Sequence, residues 1–363
     1  MAMALGLAAQ NRLATSPNPS VGCVITTAQG VLLGQGATRP TGGAHAEIMA
    51  LRDAAQRGNS VAGAIAYVTL EPCAHHGRTG PCCDALVAAG VGKVVASLAD
   101  PNPLVSGQGF ERLRAAGIEV ETGPGAGTSR ALNIGFFSRM LRKTPWVRMK
   151  VAASLDGTTA LNNGASQWIT SAPARADGHA WRARACAVLT GVGTVRDDDP
   201  LLDVRLVDAP RQPALVVVDS RLDTPLAARL FMPGRDITFY AAVQDTVKQA
   251  ALASRGAKVR YLPEHDGTGK VDLRAMLADL ARCEINEVHV EAGHQLNGSL
   301  VRADLVDEFL VYLAPKLLGQ GRGIASFGPL TNLQDAVQLE FTSSAMLGPD
   351  LRLLARVARR DWF

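Results

Sequence analysis

Hydrophobic and polar positions along the chain follow two periods, and the places where one gives way to the other mark the elements. A 3.6-residue pattern predicts helices over residues 1–14, 45–57, 82–89 and 108–116. Between them, short apolar or alternating runs predict strands at "VGCVIT" (21–26), "VLLGQG" (31–36), "AIAYVTL" (64–70) and "VGKVVASL" (91–98). This alternation is that of an α/β layered domain. A Gly-rich break, "TGPGAGTSR", leads into an amphipathic segment over 130–142, and "KTPWVRMKVAASLDG" starts a fresh strand after a proline. The domain boundary is expected near Thr144, giving domains of 1–144 and 145–363. Strands are then expected at "WVRMKVAAS", "CAVLTG", "PALVVVD", "DITFYA", "AKVRYL", "EVHVEA" and "EFLVYLAP", with helical stretches between several of them. That makes a second α/β domain. Neither half shows an internal repeat or a low-complexity tract.

A chain of 363 residues supports two cores. At 47% hydrophobic and 19% charged residues it reads as an ordinary folded enzyme. A net charge of +4 argues against a dedicated nucleic-acid surface and leaves room for Arg and Lys that meet a small phosphorylated ligand. The opening "MAMALGLAAQNRL" lacks the basic n-region of a signal peptide and runs into Gln10 and Asn11 in a helical pattern. No later window supplies the run of about 20 apolar residues that a membrane span needs. A cytoplasmic location is expected. The six cysteines, Cys23, Cys73, Cys82, Cys83, Cys186 and Cys283, are too unevenly placed for a disulfide framework, which favours reduced thiols or metal ligands.

The candidate chemistry starts at "GGAHAEIMAL", where His45 and Glu47 stand among small and apolar neighbours, and continues at "EPCAHHGRTGPC", which places Cys73 and Cys82 nine positions apart. Catalytic zinc takes three protein ligands and keeps a fourth position for water, and His45, Cys73 and Cys82 supply that count. His45 and Cys82 both open predicted helices, whose positive ends favour a thiolate. Glu47 is then free to move protons. Hydrolytic deamination at an amidine carbon needs this set, and H-x-E followed by P-C-x-x-C is the zinc deaminase signature. The present sequence departs from it through the extra loop "AHHGRTGP". Cys83, His75 and His76 compete as ligands, but Cys83 points away from Cys82 on a helix. Any one of these residues alone reads more readily as a satisfied core histidine or a small buried hydrophobe; the whole set does not.

Together "TSPNPSVGCVI", "HAE", "EPCAHHGRTGPC" and "DPNPLVSGQG" resemble the bifunctional deaminase-reductase family of riboflavin biosynthesis. The second half matches as well, through "KVAASLDG", "SQWIT", "TGVGTVRDDDPLLDVR", "VEAG" and "LVDEFLVYLAPKLLG". The resemblance implies a cytidine-deaminase-like three-layer domain followed by a dihydrofolate-reductase-like domain. The implied reaction is deamination of diaminohydroxyphosphoribosylaminopyrimidine, then NADPH-dependent reduction of the ribosyl side chain to ribityl. By that resemblance His45, Cys73 and Cys82 hold one zinc, Glu47 shuttles the proton, and Asn18, His75 and Arg78 contact the pyrimidine phosphate. Gly80 stands where the family usually has proline, which bears on loop rigidity.

No Rossmann fingerprint is present, because "GVGTVR" offers Arg196 where the third glycine belongs. The resemblance instead lines the cofactor cleft with Ala152, Thr159, Trp168, Thr194, Asp198, Ser220 and the turn at Gly293. It gives the substrate Ser166, Arg182, Leu202, Arg205 and Glu291, with Arg182 and Arg205 on its phosphate. Reducing a ring-opened imine needs a nearby cation or acid, for which Lys150, Asp198 and Glu291 are the candidates. In "LVVVDSRLDTP" a strand ends at Asp219, and Arg221 follows Ser220 where it either meets the 2′-phosphate of NADPH or is a solvated turn residue. The expected partner is a small phosphorylated pyrimidine, with no nucleic acid and no membrane, in a homo-oligomer. Two rival readings are a nucleic-acid base deaminase with an appended nucleotide-binding module, and a nucleotide sensor with structural zinc. The first lacks a clustered basic or aromatic surface, and the second leaves Glu47 without a task.

Overall fold

The computed structural model describes residues 1–74, 80–103, 105–265, 267–361 and 363, and divides into two compact units, Met1–Lys143 and Thr144–Phe363. The first contains α1 (Ala2–Asn11), β1 (Gly22–Thr26), β2 (Leu32–Ala37), α2 (Ala46–Gln56), β3 (Ile65–Val68), α3 (Cys82–Ala88), β4 (Lys93–Ala96), α4 (Gln108–Ala115), β5 (Glu119–Thr122), α5 (Ala126–Leu132) and α6 (Ile134–Arg142). Its sheet runs β2-β1-β3-β4-β5, with β1 antiparallel to both neighbours and β3, β4 and β5 parallel. Helix α1 lies against one face at Gly22, and α2 against the other at Gly34 and Gly36. A Cβ added at Gly36 would fall 2.5 Å from the Ala50 nitrogen, so only glycine admits α2 this close to β2. That contact seats the N-terminus of α2, with His45 and Glu47, on the sheet.

The first helix is shorter than its apolar pattern, and the amphipathic segment is two helices meeting at Asn133. Asn133 is buried, accepts from the Ser20 N–H at 2.7 Å and donates to the Ser20 carbonyl at 3.0 Å. The helical junction is thereby tied to the loop that carries Asn18.

The second unit contains β6 (Trp146–Ser154), β7 (Ala160–Leu161), α7 (Ala172–Arg184), β8 (Ala187–Gly191), α8 (Val192–Asp198), β9 (Ala214–Val218), β10 (Ile237–Ala241), α9 (Thr246–Ser254), β11 (Ala257–Tyr261), α10 (Leu273–Arg282), β12 (Glu287–Val290), α11 (His294–Arg302), β13 (Glu308–Ala314), β14 (Gly321–Arg322), β15 (Leu339–Leu347) and β16 (Asp350–Val357). Among the described residues, nine strands form one sheet in the order β11-β10-β9-β8-β12-β6-β13-β16-β15. The run from β11 to β13 is parallel, and β16 and β15 add an antiparallel hairpin. From β6 the chain builds outward through β8 to β11, returns at β12 and crosses to β13 on the other side. The order therefore reverses around β8, β12 and β6, where ligands of open α/β sheets gather at the carboxyl ends. One face of the sheet packs an apolar core of Val147, Met149, Val151, Val288 and Val290 against α10 and α11. The opposite face of β6 and β12 carries Arg148, Lys150, Glu287 and His289. No described helix is long and apolar enough to cross a membrane.

Candidate functional site

The N-terminus of α2, the segment after β3 and the first residue of α3 converge in the first unit. His45 Nδ1 lies 3.5 Å from Cys73 Sγ and 3.3 Å from Cys82 Sγ, and the three ligand atoms are all within 4.8 Å of one another. A tetrahedral zinc with Zn–S of about 2.3 Å and Zn–N of about 2.05 Å would set nitrogen and sulfur about 3.5 Å apart, so the donor set fits the ion in both type and spacing. The Cys82 N–H donates to Cys73 Sγ at 3.4 Å, which directs a helix N-terminus at that sulfur. Hydrogen bonds from Cys82 and then His45 lower the Cys73 thiol to about 4 despite its burial. The Cys82 thiol shifts the other way, since its hydrogen bond to Cys73 keeps its own proton in place. Glu47 is buried, with a hydrogen bond to Cys82, and burial followed by the Cys73 charge pushes it up to about 7. It is therefore poised to take and give a proton at neutral pH. Cys83 stands apart from the cluster, its thiol 3.7 Å from Asp84 Oδ1. Asn18 sits in a turn, its N–H bonded to the Thr15 carbonyl at 2.9 Å. His75 and Arg78 lie outside the described residues.

In the second unit Glu291, one residue past β12, is the hub. Arg182 of α7 grips its carboxylate with two hydrogen bonds, Nε to Oε1 at 2.6 Å and Nη2 to Oε2 at 3.0 Å. Lys150 Nζ of β6 is 3.6 Å from Oε2, and His289 Nε2 is 3.4 Å from Oε1. Although burial opposes ionisation, the Arg182 and Lys150 charges, Arg182 foremost, and the His289 hydrogen bond hold Glu291 well below the usual carboxylate range. Arg182 also donates to the Asp203 carbonyl. Its guanidinium is thus committed, whereas Arg205, bonded to the Asp203 carboxylate, has a side chain 45% exposed.

Residues 1–98 match the family described as the cytidine and deoxycytidylate deaminase zinc-binding region, and residues 145–353 match the RibD C-terminal domain. The riboflavin biosynthesis protein RibD of Escherichia coli K12 is 45% identical over 367 residues, 97% of this chain and 97% of its own. The structure of RibD from Acinetobacter baumannii, form 1, superposes with a TM-score of 0.88 at 38% identity, covering 98% of this chain and 97% of that one. The diaminohydroxyphosphoribosylaminopyrimidine deaminase/5-amino-6-(5-phosphoribosylamino)uracil reductase of Thermotoga maritima gives 0.86 at 29% identity, covering 99% and 97%. This chain belongs to the RibD family. Its fold is a cytidine-deaminase-like three-layer domain followed by a reductase domain of the dihydrofolate-reductase-like class.

Within this RibD reductase domain, most of the remaining candidates lie along the carboxyl ends of neighbouring strands. Ala152 is on β6, Thr194 and Asp198 are on α8 after β8, Ser220 and Arg221 follow β9, and Gly293 caps α11 after β12. A Cβ on Gly293 would lie 3.7 Å from Thr194 Oγ1, so the starts of α8 and α11 adjoin. Ser166 Oγ reaches Asp198 Oδ1 at 3.5 Å, and burial raises Asp198, with Asp197 adding to the effect. Thr159 Oγ1 donates to the Arg322 carbonyl at 3.0 Å. Trp168 is 61% exposed with the Arg175 guanidinium 4.5 Å above its ring, so it is not a core residue. Leu202 is buried among apolar side chains at φ 52°, and its carbonyl accepts from Arg235 Nη2 at 2.8 Å. Arg221 Nε pairs with Asp223 Oδ2 at 3.2 Å beside Lys248, at a polar cavity of about 660 Å³.

Sequence reasoning missed His179, His289 and Arg235. His179 Nδ1 accepts the Arg205 N–H at 3.2 Å, and burial, then the Arg182 and Arg205 charges, lower it to about 4. Arg235 binds the carbonyls of Leu201, Leu202 and Pro213 and so shapes the segment between α8 and β9. Only their position near quoted motifs signalled any of them. His179 and Arg235 act on residues more than twenty positions away, and His289 acts on Glu291 two positions on.

Proposed function

We propose that residues 1–144 deaminate diaminohydroxyphosphoribosylaminopyrimidine and that residues 145–363 reduce the ribosyl side chain of the product with NADPH. The observation that carries the reading is the His45, Cys73 and Cys82 cluster with buried Glu47 beside it, in a chain that also has the RibD reductase domain. Zinc held by those three residues would lower the pKa of a water in the open fourth position to about 7. Glu47 accepts the proton of the attacking water and returns it to the departing amino group, which leaves as ammonia. Asn18 would read the ring edge through its side-chain amide.

In the reductase half, NADPH, when bound, would supply hydride to the imine carbon of the ring-opened side chain. Lys150 and Glu291 manage the charge there, and Arg182 orients Glu291 while also lying where the substrate phosphate is expected. Arg205, the more exposed of the two arginines, meets that phosphate directly. Asp198 and Ser166 close the other side, and Thr194 and Gly293 flank the cofactor.

We read the chain as a cytoplasmic homo-oligomer. Its described cysteines are free thiols, which suits a reducing compartment. Strand β15 is an edge strand whose Phe341 and Met346 are 74% and 64% exposed, a surface that a second copy would cover. The test of the two-site reading is Glu47→Gln. Deamination should vanish while zinc content and reduction of the deaminated substrate persist; equal loss of both activities in a folded, zinc-loaded variant would refute it.

A further inference from the structure

Two charged residues outside the ligand set tie the segment around Cys73 to α4. Glu71, buried two residues before Cys73, accepts four main-chain N–H groups. Asp100 and Gly107 donate to Oε2 at 3.0 and 2.9 Å, and Gly109 and Phe110 donate to Oε1 at 2.8 and 3.4 Å. These donors bracket the start of α4, so one carboxylate fixes where that helix begins. Gly109 lets the helix come close, since a Cβ there would fall 2.0 Å from the Pro72 carbonyl oxygen. Three residues on, Arg112 reaches both ends of the segment between the cysteines. Its Nη1 donates to the Ala74 carbonyl at 3.1 Å, and its Nε meets Asp84 Oδ1 at 2.7 Å. Ala74 follows Cys73 directly, and Asp84 lies in the first turn of the helix that Cys82 opens. The Cys83 N–H to Cys73 carbonyl bond, at 3.2 Å, closes the base of the segment.

We propose that Glu71 and Arg112 form a brace through α4 that sets the separation of Cys73 and Cys82 and thereby governs how tightly the site retains its metal. Both are positioning residues, and the inference rests on the reading that His45, Cys73 and Cys82 hold zinc. Tetrahedral zinc wants its two sulfurs about 3.8 Å apart. The two cysteines lie nine positions apart in the chain, and bringing them together has an entropic cost that pinning the flanking residues reduces. Outer contacts that orient ligands typically contribute about ten- to a hundredfold in metal affinity.

Arg112 and Asp84 side chains are 47% and 41% exposed, so truncating either strands no buried charge and the variants should fold. Zinc-loaded full-length protein is mixed with a chromophoric chelator and metal release is timed. Arg112→Ala should release zinc about ten- to a hundredfold faster, with deamination turnover recovering in excess zinc and reductase turnover unchanged. Asp84→Asn should act in the same direction, and the double variant should release no faster than the worse single. Glu71→Gln, which sets an amide among N–H donors, should also release faster. Release at the wild-type rate from Arg112→Ala would overturn the brace. So would faster release matched by an equal fall in the unfolding midpoint of the metal-free protein. Wild-type protein that binds no zinc would overturn the site reading itself.

Discussion

Glu291→Gln and Arg182→Met ask whether the reductase half is organised around one buried ion pair. The two side chains are 13% and 10% exposed and share two hydrogen bonds. In Glu291→Gln, Arg182 keeps its charge but loses its principal counter-ion, with the Asp203 carbonyl and the nearby Asp203 carboxylate left to it and Arg235 close enough to repel it. Leaving a buried charge without its counter-ion costs about 3–5 kcal/mol. Arg182→Met is milder, because Lys150 and His289 still face Glu291; the loss is then nearer the about 1.5–3 kcal/mol of charged hydrogen bonds. The double variant should cost less than the sum, since neither charge is then stranded beside an empty partner. All four tryptophans lie at or beyond position 146, so tryptophan fluorescence in urea follows the second unit alone. With a slope of about 2 kcal/mol per molar urea, Glu291→Gln should lower the midpoint by about 1.5–2.5 M. Because Glu291 is depressed in the folded state, its contribution is complete above the ordinary carboxyl range near 4.3 and is lost as pH falls through its lower folded value. Reduction should fall in both single variants while deamination holds. A midpoint shift below about 0.3 M for Glu291→Gln, or strict additivity in the double variant, would refute the reasoning.

Arg221→Ala should weaken NADPH binding and leave NADH binding nearly unchanged. With its side chain 76% exposed and Asp223 already in contact, the expected loss is about tenfold, the low end for a charge-assisted contact; an unaltered NADPH-to-NADH preference in fluorescence titration would place the phosphate elsewhere. His179, lowered to about 4, makes wild-type stability decline as pH drops from about 6.5 towards that value, since protonation removes the acceptor for the Arg205 N–H. His179→Asn keeps an acceptor without the titration and should flatten that decline; a variant that tracks wild type at every pH between 7 and 4.5 would show the histidine is not responsible.

The parallel strands were legible because they are buried on both faces. The runs read as β6, β8, β9, β10, β12 and β13 contain no solvent face, β11 at the sheet edge is partly exposed, and the observed bounds of all seven lie within two residues of the runs. Strand β5, "EVET", and the β15–β16 hairpin were not read. Three of the four β5 residues are exposed, and most of β15 is exposed as well, so no core imposed a period on them. The zinc cluster was legible because a metal demands particular residue types at short spacing. The Arg182–Glu291 grip was not, because its partners are 109 residues apart and nothing local in "WRARA" or "VEAG" names the other. Of the two arginines that the resemblance aims at phosphate, Arg182 has most of its hydrogen-bonding capacity committed inside the protein and Arg205 does not.

Buried acids at strand ends separate into two kinds by what surrounds them, and this distinction is invisible in sequence. Glu71 follows β3 and receives four main-chain N–H groups. Asp219 follows β9, is fully buried, and receives the N–H groups of Asp223 and Thr224 together with the Thr224 hydroxyl. With their lone pairs occupied by fixed donors, both acids act as templates that fold the next loop into one shape: the start of α4 beside the His45, Cys73 and Cys82 cluster, and the Ser220–Arg221 turn after β9. Glu47 instead faces the sulfurs of Cys73 and Cys82 and the His45 ring, and Glu291 faces Arg182, Lys150 and His289, so the charge of each depends on side-chain neighbours. The carboxylates of Glu71 and Asp219 thus belong to the scaffold, whereas those of Glu47 and Glu291 keep the side-chain neighbours through which the proposed chemistry would act.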